Sequence, residues 1–126
     1  MSYNFLVIDD EPELVEYMQS LLEDEYPGCM VHALDDCEEA IAYCRANVYD
    51  IIYTDFKMPK MNGDQLIKGI RELNNDNQSA GVIVLTAHGE SARIAFDNLD
   101  NVIILEKPLD IEVNRKKVRI LLSLRN

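Results

Sequence analysis

Four short stretches of the chain are almost wholly apolar and rich in β-branched residues: Phe5–Ile8, Ile51–Thr54, Val82–Leu85 and Val102–Leu105. Runs of this length without alternation fit strands buried on both faces, the pattern of a parallel sheet covered by helices. The segments between them carry helical spacing. Pro12 suits a first helical position, and Leu14, Val15, Met18, Leu21 and Leu22 then recur along one face until Pro27-Gly28 breaks the pattern. Cys29–Ala33 reads as a further strand. Asp36 and Glu39 resemble a capping box ahead of Cys37, Ala40, Ile41 and Cys44, with Asn47 as the stop. Leu66, Ile67, Ile70 and Leu73 mark a third helix after an Asn62-Gly63 turn, and Asn74–Ser79 reads as a polar loop. Ile94, Ala95 and Leu99 suggest a short fourth helix. Asp110 can cap a last one carrying Ile111, Val118, Leu121 and Leu122.

Five strands alternating with five helices predict an α/β protein. The expected architecture is a flavodoxin-like (βα)5 doubly wound parallel sheet, strand order 2-1-3-4-5. The 126 residues suffice for one domain with a proper core and are too few for two ordinary ones, so residues 1–126 are expected to form a single domain. A formal net charge of −11 argues against direct nucleic-acid binding, which rests on clustered Lys and Arg. No apolar run reaches membrane-spanning length, and Met1-Ser2-Tyr3-Asn4 lacks the basic start of a secretory signal. No membrane association and a cytoplasmic location are expected. Cys29, Cys37 and Cys44 do not make a disulfide framework and sit at no zinc-ligand spacing. They read as reduced, mostly buried side chains.

Polar residues stand where four of the strands stop: Asp9-Asp10 after the first, Asp55 after the third, Thr86 after the fourth and Lys107 after the fifth. In an open parallel sheet the carboxyl ends of the strands line one ligand cleft. The fold thus gathers residues that lie far apart in the chain. Carboxylates crowded in a cleft raise one another's pKa. A hard divalent cation such as Mg2+ relieves that, since it takes carboxylate, water and phosphate oxygens. With the Lys107 ammonium and the Thr86 hydroxyl, the set suits a phosphoryl group. Asp55, followed by Met58-Pro59 and Asn62-Gly63, would be its nucleophile.

Taken singly, each residue has a plainer reading. Asp9-Asp10 could cap a helix, Thr86 could simply end a strand, and Lys107 could be solvated. Their joint placement carries the inference. His88 at the cleft rim could tune water access or be an ordinary surface histidine, and His32 reads as packing or surface. Arg115, Lys116, Lys117 and Arg119 form a solvated helix face or a dock for an acidic partner.

Together, Asp9-Asp10, Asp55 with Met58-Pro59 and Gly63, Thr86-Ala87 and Lys107-Pro108 resemble a response-regulator receiver domain of two-component and phosphorelay signalling, from Phe5 to Leu122. The resemblance implies a phosphoacceptor switch rather than an enzyme, with only self-catalysed phosphotransfer and dephosphorylation. Asp55 would take the phosphoryl group from a histidine kinase or phosphotransfer protein. Asp10 would bind Mg2+ directly, Asp9 through water, and the Lys57 main-chain carbonyl would be a further ligand. Thr86 and Lys107 would contact the phosphoryl oxygens, the Lys107-Pro108 bond would be cis, and Thr86 would be the switch residue. Output would pass to a protein target or a fused output domain. The chain ends soon after the fifth helix, so a stand-alone receiver or a domain of a longer protein is expected. One position departs from the family. Three residues before Lys107, receivers usually carry Phe or Tyr; here it is Ile104, which puts the usual switch coupling in doubt.

Three other functions compete. A phosphatase of the haloacid-dehalogenase type needs a second Asp two residues after the nucleophile, where this chain has Lys57. A nucleotide-binding module needs a Gly-rich turn after the first strand, where this chain has Asp9-Asp10-Glu11-Pro12. A degenerate receiver serving only for interaction would not need the complete set of Asp9, Asp10, Asp55, Thr86 and Lys107.

Overall fold

The computed structural model describes residues 2–124. Met1, which opens the N-terminal reading, and Asn126, which closes the expected domain, lie outside the described residues. Five strands, β1 (Asn4–Ile8), β2 (Met30–Leu34), β3 (Ile51–Thr54), β4 (Gly81–Thr86) and β5 (Val102–Glu106), form one sheet in the order β2-β1-β3-β4-β5. Every pairing is parallel. The expected topology is thus the observed one. The second strand starts one residue later than its apolar run, because the Cys29 amide bonds the Tyr26 carbonyl and closes the preceding turn.

Five α-helices cover the sheet: α1 (Pro12–Glu25), α2 (Cys37–Ala46), α3 (Gly63–Arg71), α4 (Gly89–Ala95) and α5 (Ile111–Ser123). Pro12 begins α1, where its missing N–H costs no hydrogen bond. Asp36 and Asp110 accept from the amides three residues on, Glu39 and Val113, and so start α2 and α5. Asn62 is more than a turn residue. With Gln65 it forms a capping box that fixes where α3 begins.

Alternate strand residues face opposite helical layers. Leu6, Ile8, Ile52, Val82 and Val84 pack with side chains of α2, α3 and α4, whereas Phe5, Val7, Ile51, Tyr53, Ile83 and Leu85 pack with those of α1 and α5. Burial on both faces explains why these strands read as unbroken apolar runs. Two expectations for the helices change. Ile94 is 80% exposed, because α4 turns Ala92 and Phe96 inward instead. Residues 74–79 are not merely a loop: Asp76–Ser79 forms a 3-10 turn, and its Asn77 is fully buried. All three cysteines are free, with Cys37 and Cys44 buried and Cys29 partly so.

Candidate functional site

The carboxyl ends of β1, β3, β4 and β5 share one edge of the sheet. Asp9 follows β1 and Asp55 follows β3, and both are buried, at 3% and 6% exposure. The Asp9 amide still bonds Leu34 of β2, which continues the sheet pattern past the strand. Beyond it the Glu11 amide donates to Asp9 Oδ1 at 2.9 Å. This local bond starts α1 and turns Glu11 back toward the cleft.

Lys107 Nζ lies at the centre. It is 2.9 Å from Asp55 Oδ2, 3.1 Å from Glu11 Oε1 and 3.2 Å from Asp9 Oδ2. Carboxylate oxygens of Asp9, Glu11 and Asp55 all lie within 4.8 Å of one another. Burial pushes the Asp9 carboxyl up to about 6, against the opposing pull of the Glu11 amide and the lysine. Burial also works to lower the Lys107 ammonium, but its bonds to Asp55 and Glu11 prevail and hold it above the ordinary lysine value. Three acids share one cation, so negative charge is left over in the cleft.

The other oxygen of Asp55, Oδ1, accepts from the Phe56 amide at 2.6 Å. Thr54 Oγ1 donates to the Asp55 main-chain oxygen at 2.9 Å. Gly63 packs against that same oxygen so closely that a Cβ at this position would sit 2.1 Å from it. Its amide donates to the Phe56 carbonyl at 2.7 Å. The loop carrying Asp55 is therefore clamped from β3 and from the start of α3.

Thr86 ends β4 and is fully buried. Its Oγ1 accepts from the His88 amide at 3.1 Å, and its carbonyl accepts from the Lys107 amide at 2.9 Å. That second bond ties the fourth and fifth strand ends together. The Lys107–Pro108 peptide is cis, as the resemblance implies.

The structure thus brings Asp9, Asp55 and Lys107 into direct contact and sets Thr86 beside them through the backbone of Lys107. Asp10 differs from expectation: it is exposed and lies outside the carboxylate group, and Glu11 stands there instead. The turn that bonds the Glu11 amide to Asp9 favours the second residue after Asp9 over the first. The sequence signal was an acid directly before Pro12, at the helix N-cap. Lys57 is exposed, with its ammonium 4.8 Å from the Phe56 ring centroid, so its side chain is drawn away from the carboxylates. Ile104 is partly buried in β5, paired with Val84. His32 bonds the Tyr49 hydroxyl at 2.6 Å and sits mid-strand in β2, paired with Leu6. Arg115 forms a two-pronged ion pair with Glu25, which ties α5 to α1.

Fold and site define a flavodoxin-like α/β protein with an acidic, lysine-bridged cleft at its strand ends. The chain belongs to the response regulator receiver domain family, whose pattern matches residues 5–119. Receiver domains are phosphoacceptor switches of two-component signalling rather than conventional enzymes, and they bind Mg2+ at an acidic site. Among relatives, the regulatory protein VanRc of Enterococcus gallinarum is 33% identical over 71% of this chain and 36% of its own length. The response regulator TrrA of Thermotoga maritima, solved in complex with Mg(2+)-BeF, is 26% identical, with a TM-score of 0.78 over 95% of this chain and 99% of that one. Chemotaxis protein CheY4 of Vibrio cholerae shares the fold, with a TM-score of 0.86 at 23% identity over 97% of this chain and 100% of that one. The chain spans about a third of the length of several curated relatives that it matches. Among the described residues no helix is long and apolar enough to cross a membrane.

Proposed function

We propose that residues 1–126 act as one receiver domain whose phosphoacceptor is Asp55, with a phosphohistidine of a histidine kinase or phosphotransfer protein as donor. The observation that carries this reading is the contact of a buried, strand-end Asp55 with Lys107, beside a second buried carboxylate, Asp9. An Asp55 oxygen attacks phosphorus, the P–N bond to the donor imidazole breaks, and that nitrogen regains a proton. The product is an acyl phosphate on Asp55. Lys107 is already within hydrogen-bond distance of Asp55 Oδ2 and would follow the charge onto the phosphoryl oxygens. Thr86 would offer its hydroxyl proton to the same group, since its oxygen already accepts from His88.

Hard oxygen donors and surplus negative charge fit a divalent cation. Asp9 and Asp55, with the Lys57 main-chain carbonyl, would hold Mg2+, and Asp10 would join them by turning in from its exposed position. When bound, the ion supplies positive charge against the oxygens of the transferring group. Beside the cleft runs a groove of about 460 Å3, lined by Glu11, Leu14, Tyr17, Lys107, Pro108 and Leu109. Its apolar walls suit a helical donor that must bring an imidazole to Asp55. The phosphorylated face would then pass the signal to a protein target or a fused output domain, without direct contact to nucleic acid or membrane. A cytoplasmic site of action belongs to the same reading.

Acetyl phosphate with Mg2+, followed by intact mass measurement, tests the assignment. A gain of one phosphoryl group is expected in the wild type and none in Asp55→Asn. Equal labelling of the Asn variant refutes it.

A further inference from the structure

The layer between the sheet and α4 holds a second connection to Asp55, which the cleft chemistry does not use. Phe56 follows Asp55 directly. Its amide donates to Asp55 Oδ1, and its ring is 5% exposed. The ring meets Phe96 edge-on, with centroids 6.1 Å apart and planes at 64°. Phe96 is the residue that ends α4 and is 3% exposed. Asp55, Phe56, Phe96 and α4 thus form an unbroken chain of contacts.

Helix α4 depends heavily on that chain. It has seven residues, and its N-cap His88 makes no side-chain capping bond. So short a helix is not stable alone and takes its position from packing. Ala92 and Phe96 are buried and Ala95 packs partly buried against the same cluster, while Ile94 points out at 80% exposure. Of these, only the Phe96 ring is large. From β5, Ile104 packs against the same core cluster, but it is aliphatic and β-branched, with few rotamers. Of the buried aromatic rings in this cluster, Tyr49, Phe56 and Phe96, the last two pair with each other.

Phosphorylation changes the first link. A carboxylate oxygen accepting from the Phe56 amide is charged and makes a short, strong bond. Conversion to an acyl phosphate leaves a neutral carbonyl or an ester oxygen in its place, so that bond weakens and the Phe56 backbone gains freedom. Edge-to-face ring pairs prefer particular offsets, and packed cores move between discrete arrangements. We infer that the Phe56–Phe96 ring pair is a relay that reports the state of Asp55 to helix α4. Ile104 packs beside it without carrying the signal. This rests on Asp55 being the phosphoacceptor.

Hydrogen exchange through Gly89–Phe96, with and without beryllofluoride plus Mg2+, tests the relay in the full chain. Fluorine NMR on the same samples reports whether beryllofluoride is bound. Wild type and Ile104→Ala should both bind it and change α4 exchange by about threefold or more. Phe96→Leu, which keeps an apolar side chain, should bind it but change α4 exchange less than about half as much. Phe56→Leu should behave likewise, and reads the same link from the other ring if Phe96→Leu does not fold. A full α4 response in either Leu variant, with beryllofluoride bound, overturns the relay while leaving Asp55 as the acceptor. An α4 response lost in Ile104→Ala assigns the signal to β5 and also overturns it. Absence of bound beryllofluoride in the wild type removes the acceptor assignment and the relay with it.

Discussion

Lys107 Nζ lies 2.9 Å from Asp55 Oδ2 while also reaching Asp9 and Glu11, so three carboxylates share a single ammonium. Removing it leaves two buried acids without a counter-ion. Loss of one partner of a buried pair costs about 3–5 kcal/mol, and rather less here because Glu11 is open to solvent. Lys107→Met is expected to destabilise the metal-free protein by roughly 2–4 kcal/mol at pH 7. Millimolar Mg2+ should then restore more stability to the variant than it adds to the wild type, since the ion replaces the missing charge. Urea denaturation with and without Mg2+ measures both. Equal Mg2+ stabilisation of the two proteins contradicts this.

Asp9 is expected to give the metal-free protein a distinctive pH dependence. Its carboxyl is raised from an ordinary 3.8 to about 6 by burial. Between those values the folded state holds a proton that the unfolded chain has released. Stability therefore falls on this account as pH rises from about 4 to about 6, and stays lower above that. The full effect of two units is about 3 kcal/mol. Asp9→Asn should flatten this fall and raise metal-free stability above pH 6, while removing most of the stabilisation by Mg2+. Denaturation midpoints from pH 4 to 8 show it. A variant less stable than wild type at pH 7 without metal would place the balance with the Lys107 pairing instead.

What the chain shows in sequence follows how local its causes are. Strand order and the gathering of Asp9, Asp55, Thr86 and Lys107 were legible, because buried parallel strands are apolar throughout and their ends are fixed by the next polar residue. Glu11 was less so: its one signal is an acid directly before Pro12, and its place in the cleft depends on the amide bond to Asp9. Ile94 helps mark α4 in the sequence yet faces solvent, because a seven-residue helix offers too few turns for periodicity to decide a face. Asn77 was hidden for another reason: the partners of its side chain are all distant in the chain. Its Oδ1 accepts from the Tyr49 amide, and its Nδ2 donates to the carbonyls of Cys44 and Asn47.

From Asn77 a control prediction arises. Truncating this buried side chain removes the bonds to the Tyr49 amide and the Asn47 carbonyl, while the Cys44 carbonyl keeps its bond from Asn75 Nδ2. Asn77→Ala is expected to lower stability by about 2–4 kcal/mol. The residue lies at the opposite end of the sheet from Asp55, so acetyl phosphate should label the folded variant at the wild-type rate. A large drop in labelling without loss of fold would show coupling between the two ends.

Lys57 bears on how long the acyl phosphate lasts. Its ammonium rests over the Phe56 ring, and a cation cannot accept a proton from an attacking water. His88, at the other rim, is exposed and engaged through its main chain with Thr86. Neither side chain orients a water, so self-dephosphorylation is expected to be slow. Lys57→Asn places an amide at the rim and should speed phosphate loss about 3–10-fold. Phosphate release from the labelled protein reads the rate, and a variant no faster than wild type counts against it.

Gly63 tests whether the phosphoacceptor loop is clamped as tightly as its contacts indicate. The residue begins α3, where alanine normally favours a helix over glycine by about 1 kcal/mol. Local propensity alone therefore predicts that Gly63→Ala stabilises. Packing predicts the reverse. A Cβ there would stand 2.1 Å from the Asp55 main-chain oxygen and 3.3 Å from the Phe56 Cα. Both obstacles are backbone, so no side-chain rotation relieves them, and either α3 or the Asp55 loop must move. The Gly63 amide bond to the Phe56 carbonyl would lengthen in the same movement. Overpacking of this kind costs about 1–3 kcal/mol, which outweighs the gain in propensity. Gly63→Ala should lose stability and, because Asp55 shifts relative to Lys107 and Asp9, be phosphorylated by acetyl phosphate about tenfold more slowly. Gly69, in the same helix, provides the contrast. A Cβ there meets only a side-chain methyl at 3.8 Å, an ordinary contact. Gly69→Ala should therefore gain stability by about 0.5–1 kcal/mol and keep its labelling rate. If both substitutions stabilise alike, the approach of α3 to Asp55 does not set the geometry of the site.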